Sequence, residues 1–208
     1  MVGGYAGKIA FVDLTKGEIK TETLDQDLVR QYIGGHGLGA RLLFERQKKG
    51  IDPLGSENIL GFTTGPLTGT KTPTGGRYMA VCKSPLTGGW GDANSGGFFG
   101  NFPFVDFFNA VTGWNLEVSE VLTAGERIQT LRQCFNVREG IKPSDVKLPE
   151  RMAGCPPQKE GPVAGITLDI DNLAREYRQV MGWDPHSGKV EDTTLEKPGL
   201  TQLIHAHG

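Results

Sequence analysis

The placement of glycine limits this chain's fold more than any other feature. Of 31 glycines, 21 fall within residues 1–100 and ten come after. Glycine weakens helices and opens backbone conformations with positive φ. The first half is therefore expected to consist of short elements joined by many turns. From about Val118 the pattern changes to helical spacing. "VSEVLTAGERIQTLRQCFNVREG" sets Val121, Leu122, Gly125, Ile128, Leu131 and Phe135 along one helix, with Ser119 as N-cap and Gly140 beyond the end. "LDIDNLAREYRQVMGWD" predicts another helix, with Leu173, Tyr177, Val180 and Met181 on one face. The two periods predict an α+β fold. Residues 1–100 form a β-rich layer and residues 101–208 a helical segment.

Within the first half, "KIAFVDLTKGEIKTETL" alternates in apolar character on either side of "TKG", which predicts a hairpin turning at Gly17. "LDQDLVRQYIGG" predicts a short amphipathic helix stopped by Gly34, and "LGARLLFERQKKG" a second one. "NILGFTTGPLTGT" and "GRYMAVCKSPLTGG" each run a strand into the turn "PLTG", and this repeat suggests two similar units facing one way. Residues 142–165, "KPSDVKLPERMAGCPPQKEGPVAG", predict an extended proline-rich connector, and "LIHAHG" a mobile tail.

The bulk properties narrow the function. A net charge of −2 argues against nucleic-acid binding, which favours a basic surplus. No apolar run approaches the roughly 20 residues that cross a bilayer, and the N-terminus lacks a secretory pattern. The three cysteines, Cys82, Cys134 and Cys155, are far apart, with no C-x-x-C spacing, as expected of unpaired thiols in a reducing cytoplasm. "GGHGLGA" has G-x-G-x-x-A spacing at Gly35, Gly37 and Ala40. The segment before it reads as a helix rather than a strand, so a dinucleotide fingerprint is not expected. His36 receives no catalytic role, Asp92 reads as a solvated turn carboxylate, and His205 and His207 read as tail residues.

The stretch "GGRYMAVCKSPLTGGWGDANSGGFFG", residues 75–100, raises a sharper question. So much bare backbone suits close approach of a planar phosphorylated ligand, with Arg77 able to fork onto a phosphate. It equally suits a set of tight hairpin turns.

The order of segments resembles the tungsten-containing aldehyde ferredoxin oxidoreductase family. "GYAGKIAFVDLTKGEI", "YIGGHGLGARLL", "DPLGSENILGFTTGPLTGT", "TPTGGRYMAVCKSPLTGG" and "ANSGGFFG" resemble its N-terminal part. "AVTGWNLEVSEVLTAGERIQTLRQCFNVREG", "LPERMAGCPPQKEGPVAG" and "YRQVMGWDPHSGKV" resemble its extreme C-terminus. The resemblance implies that the glycine-rich stretch is the base of a tungsten (or molybdenum) bis-pterin site. Arg77, Asn94, Ser95 and Gly96 would contact the cofactor, and the Asn94 carbonyl would help hold a magnesium ion bridging the pterin phosphates. The implied chemistry is oxidation of aldehydes to carboxylic acids with ferredoxin as acceptor.

The family's central part has no counterpart here, and the break falls near Gly100–Asn101. That part holds the four cysteines of a [4Fe–4S] cluster, and this chain has three cysteines in all. The cluster is therefore expected to be absent, and no catalytic residue is assigned. Three readings follow. The chain is an internally shortened family member that keeps part of the pterin base, lacks the electron path and is inactive alone, with a separate chain supplying the missing middle as one candidate partner. It is a scaffold that binds a partner or associates as a homo-oligomer. Or it is a deletion product without stable activity. At the break, Phe102, Phe104, Phe107 and Phe108 are expected to be buried as a new core.

Overall fold

A computed structural model describes residues 5–70, 77–94 and 104–207. Strands β1 (Lys8–Asp13) and β2 (Glu18–Thr23) form an antiparallel hairpin. It turns at Gly17, whose φ of 69° and N–H bond to the Asp13 carbonyl at 2.8 Å fit the tight reversal expected there. Helices α1 (Gln26–Tyr32) and α2 (Gly35–Arg46) follow. A second antiparallel sheet has the order β3 (Gly61–Thr64), β4 (Tyr78–Lys83), β5 (Trp90–Asn94). Then come α3 (Phe104–Thr112), the long α4 (Val118–Arg138), α5 (Ile170–Val180), α6 (Asp192–Glu196) and α7 (Thr201–His207). The fold class is α+β.

The main core is shared between the two halves of the chain. Leu43 and Phe44 of α2 and Val81 of β4 pack with Leu131 and Phe135 of α4, joined by Trp183, Leu195 and Leu200. A smaller cluster of Leu24, Val29 and Leu38 lies under Trp114 and Tyr5. α2 is the central support, and its glycines make that possible. A Cβ on Gly37 would lie 2.2 Å from the Tyr32 carbonyl oxygen and 2.6 Å from Ile128 Cδ1, and one on Gly39 would lie 2.8 Å from Val81 Cγ2. "GGHGLGA" is thus the first half of a helix lying directly on α4 and β4. The second helix starts at Gly35, earlier than its apolar pattern indicated.

Several local expectations need correction. The N-cap of α4 is Glu117, with the Glu120 carboxylate accepting the Glu117 N–H at 2.9 Å; Ser119 is inside the helix. A carboxylate at both positions favours this start through the helix dipole. Leu122 points to solvent, and the buried stripe of α4 runs through Ala124, Leu131, Cys134 and Phe135. The two "PLTG" turns lie at opposite ends of the sheet, because β3 and β4 are antiparallel. "LIHAHG" belongs to α7, and Leu203 and Ile204 pack on the core. Apolar contact outweighs the terminal position here.

The connector after α4 is extended and exposed as expected, with short 3-10 turns at Pro143–Asp145 and Glu150–Ala153. α5 buries none of its residues, and Val180 on it is 85% exposed. Among the described residues, no helix is long and apolar enough to cross a membrane.

Candidate functional site

The three-stranded sheet has two unlike faces. One lies on α2 and α4: Val81 is buried against Gly39, Met79 meets Gly35, and the Thr63 hydroxyl donates to the Gly35 carbonyl at 2.8 Å. Across the other face the register aligns Phe62, Ala80 and Ala93. Phe62 is 68% exposed there, and Tyr78 is exposed beside it.

Arg77 immediately precedes β4 and is half-buried; its carbonyl accepts the Thr68 hydroxyl at 2.9 Å. Asn94 ends β5 and pairs with Met79, two residues beyond Arg77. The antiparallel register therefore brings Arg77 and Asn94 to the same end of the β4–β5 pair. Ser95 and Gly96 lie outside the described residues, as do Gly75, Gly76, Gly97 and Phe102. So the expected burial of the four phenylalanines falls largely outside them too. Phe108 is half-buried.

Helix α4 grips this sheet through polar side chains spaced i, i+4 and i+7. Arg132 Nη2 lies 2.7 Å from Asp92 Oδ2, Asn136 Oδ1 accepts the Trp90 N–H at 2.7 Å, and Glu139, at the C-cap, accepts Lys83 Nζ at 2.6 Å. Asp92 is therefore no solvated turn residue. It stands on β5 with its side chain 20% exposed and also meets the Trp90 indole N–H and His36. These contacts, His36 first and then the Trp90 indole and Arg132, pull its carboxyl down to about 2 against the opposing effect of burial. Sequence reasoning missed Arg132, Asn136 and Glu139. Their spacing marks one helix face, but nothing local indicates which strand that face meets.

The thiols are scattered. Cys134 is buried on α4, its thiol pushed up to about 12 by burial, while Cys82 on β4 and Cys155 in a loop are partly exposed. Among the described residues, no three His, Cys, Asp or Glu side chains converge as a metal site. Two clefts of about 270 and 390 Å³ lie elsewhere, the first beside Arg30 and Arg127, the second beside Lys147 and Arg178.

Comparison with known proteins decides the family. The model of the aldehyde ferredoxin oxidoreductase N-terminal domain matches residues 9–104, and that of the family's domains 2 and 3 matches residues 79–200. The chain belongs to the aldehyde ferredoxin oxidoreductase family. It is 52% identical over 97 residues to the tungsten-containing aldehyde ferredoxin oxidoreductase of Pyrococcus abyssi, covering 47% of this chain and 16% of that protein. It is 42% identical over 89 residues to the aliphatic sulfonate oxidoreductase WOR-like subunit of Pyrococcus furiosus, covering 41% of this chain and 14% of that protein. The solved active-site complex BamBC of benzoyl coenzyme A reductase, in complex with 1,5 dienoyl-CoA, aligns at 34% identity with a TM-score of 0.45, over 47% of this chain and 15% of that one. The chain thus spans about a sixth of the length of the aldehyde ferredoxin oxidoreductases it matches, and Arg77, Asn94, Ser95 and Gly96 all fall inside the N-terminal match.

Proposed function

We propose that this chain supplies the base of a tungsten–pterin site and does not oxidise aldehydes alone. One observation carries the reading: Arg77 and Asn94, both within the N-terminal family match, stand at one end of the β4–β5 pair. Their chemistry fits the phosphate end of such a cofactor. The Arg77 guanidinium can fork onto a phosphate oxygen pair, and the Asn94 carbonyl is a hard oxygen donor of the kind magnesium takes. Ser95 and Gly96 follow in the sequence as further candidate cofactor contacts, and glycine is the residue type that admits close approach of a ligand to the main chain. When bound, the tungsten (or molybdenum) bis-pterin would supply the two-electron oxidation of an aldehyde to a carboxylic acid. This chain's own residues would bind and orient it.

A [4Fe–4S] cluster does not fit the residues present. Three thiols on separate elements cannot supply four thiolates, so no electron path to ferredoxin is derived through this chain. We divide the chain at residues 100 and 101 into the cofactor base and the helical segment that supports it. Catalysis in a cytoplasmic setting would need the family's central part from a separate chain.

A second reading, a partner-binding scaffold or homo-oligomer, draws support from the apolar residues left in solvent. Leu173, Tyr177 and Val180 on α5, Met152 in the connector and Ile166 just after it are exposed. Metal and pterin analysis of the purified protein, expressed anaerobically with tungstate, tests the first reading. Pterin and tungsten in stoichiometric amounts support it, and their absence from cooperatively folded protein favours the scaffold. A non-cooperative melt would mark a deletion product without stable activity.

A further inference from the structure

Asp92 lies where three elements meet, halfway along the strand that leads to Asn94. Its Oδ2 takes the Trp90 indole N–H at 2.5 Å from its own strand and Arg132 Nη2 at 2.7 Å from α4. The wholly buried Nδ1 of His36, from the first turn of α2, lies 3.2 Å away, without the alignment of a hydrogen bond. Among the described residues, β5 is an edge strand, hydrogen-bonded within the sheet to β4 alone. Edge strands fray unless something off the sheet holds them. The start of β5 is fixed separately, by Asn136 on the Trp90 N–H. Asp92 is the next point of attachment, and Asn94 follows two residues later.

We propose that the Asp92 carboxylate, gripped by Arg132, is a positioning residue: it pins the second half of β5 to α4 and so sets where the Asn94 main chain is presented. The inference rests on the reading of Asn94 as a cofactor-facing residue. Its mechanism concerns only this chain's own contacts. The carboxylate suits the task because charge-assisted bonds are about twice as strong as neutral ones. An amide in its place would keep the shape but lose the charge that draws in Arg132.

The test is residue-resolved hydrogen exchange on the whole chain without cofactor, comparing wild type with Asp92→Asn and Arg132→Met. The expected result is local. Amides of residues 91–94 exchange at least tenfold faster in both variants, while those of β3 and the Trp90 amide keep their wild-type rates. Equal acceleration in β3 and β5 would mean that Asp92 contributes only general stability, and it overturns the proposal. Unchanged exchange in β5 overturns it as well. If Asp92→Asn does not fold, Arg132→Met gives the same comparison.

All these measurements are made without pterin. Failure to bind pterin would overturn the functional reading and leave the positioning result standing, and the reverse holds equally.

Discussion

Replacing Glu139 by glutamine should be among the most damaging single-atom changes in the molecule. Its side chain has 0% exposure, and it faces Lys83, whose side chain is 7% exposed, at 2.6 Å. Arg138 Nε lies 3.3 Å from the other carboxylate oxygen, and the Gly50 N–H donates to Oε2 at 3.0 Å. One buried carboxylate thus serves two buried cations. Glutamine keeps the shape and can still accept from Gly50, so the cost comes from the uncompensated charges. Removing one partner of a buried pair costs about 3–5 kcal/mol, a large part of the roughly 5–15 kcal/mol that stabilises an ordinary domain. Urea denaturation at neutral pH reads this directly as a lower midpoint with an unchanged slope. The loss should persist at about 1 M salt, because buried pairs are poorly screened. Lys83→Met combined with Glu139→Gln should recover about 1–3 kcal/mol relative to the sum of the single changes. A loss under about 1 kcal/mol for Glu139→Gln, or strict additivity in the cycle, would refute the claim that this pair is buried and coupled.

Gly37→Ala should destabilise by about 1–3 kcal/mol, since its Cβ would press on main chain of α1 and on Ile128; thermal melts measure this. Gly125→Ala on α4 meets nothing within 4 Å and should instead stabilise by up to about 1 kcal/mol in the same assay. Arg77→Ala should weaken any pterin binding by about 1.5–3 kcal/mol, the value of a charge-assisted hydrogen bond, as measured by cofactor retention on dialysis. The chain alone should show no aldehyde-dependent viologen reduction, and turnover on the order of 1 per second or more would overturn that expectation. In acid, wild type should lose stability as the pH falls from about 4 through about 2. The folded Asp92 carboxyl sits below its usual value, so its contribution is present above that range and disappears on protonation. Asp92→Asn should lack this component of the acid-unfolding curve.

What the sequence determined by itself was local or carried by a long pattern. The hairpin at Gly17, the strands ending in "PLTG", the long helix from Val118 and the α+β class all follow from periodicity and turn chemistry, which act over a few residues. The family was legible from ordered motifs in the same way, and the proposal of Arg77 and Asn94 as cofactor contacts comes from those motifs. The tertiary structure decided what depends on the partner across space. The glycines of "GGHGLGA" have the same composition as a turn, yet they form a helix because α4 and β4 approach too closely for side chains. Asp92 is indistinguishable from a solvated turn carboxylate until Arg132, 40 positions later, is folded onto it. The terminal "LIHAHG" is a docked helix because Leu203 and Ile204 find a core built by residues far away in the chain. Each of these outcomes turns on burial and charge pairing between distant segments, and neither leaves a periodic trace along the chain.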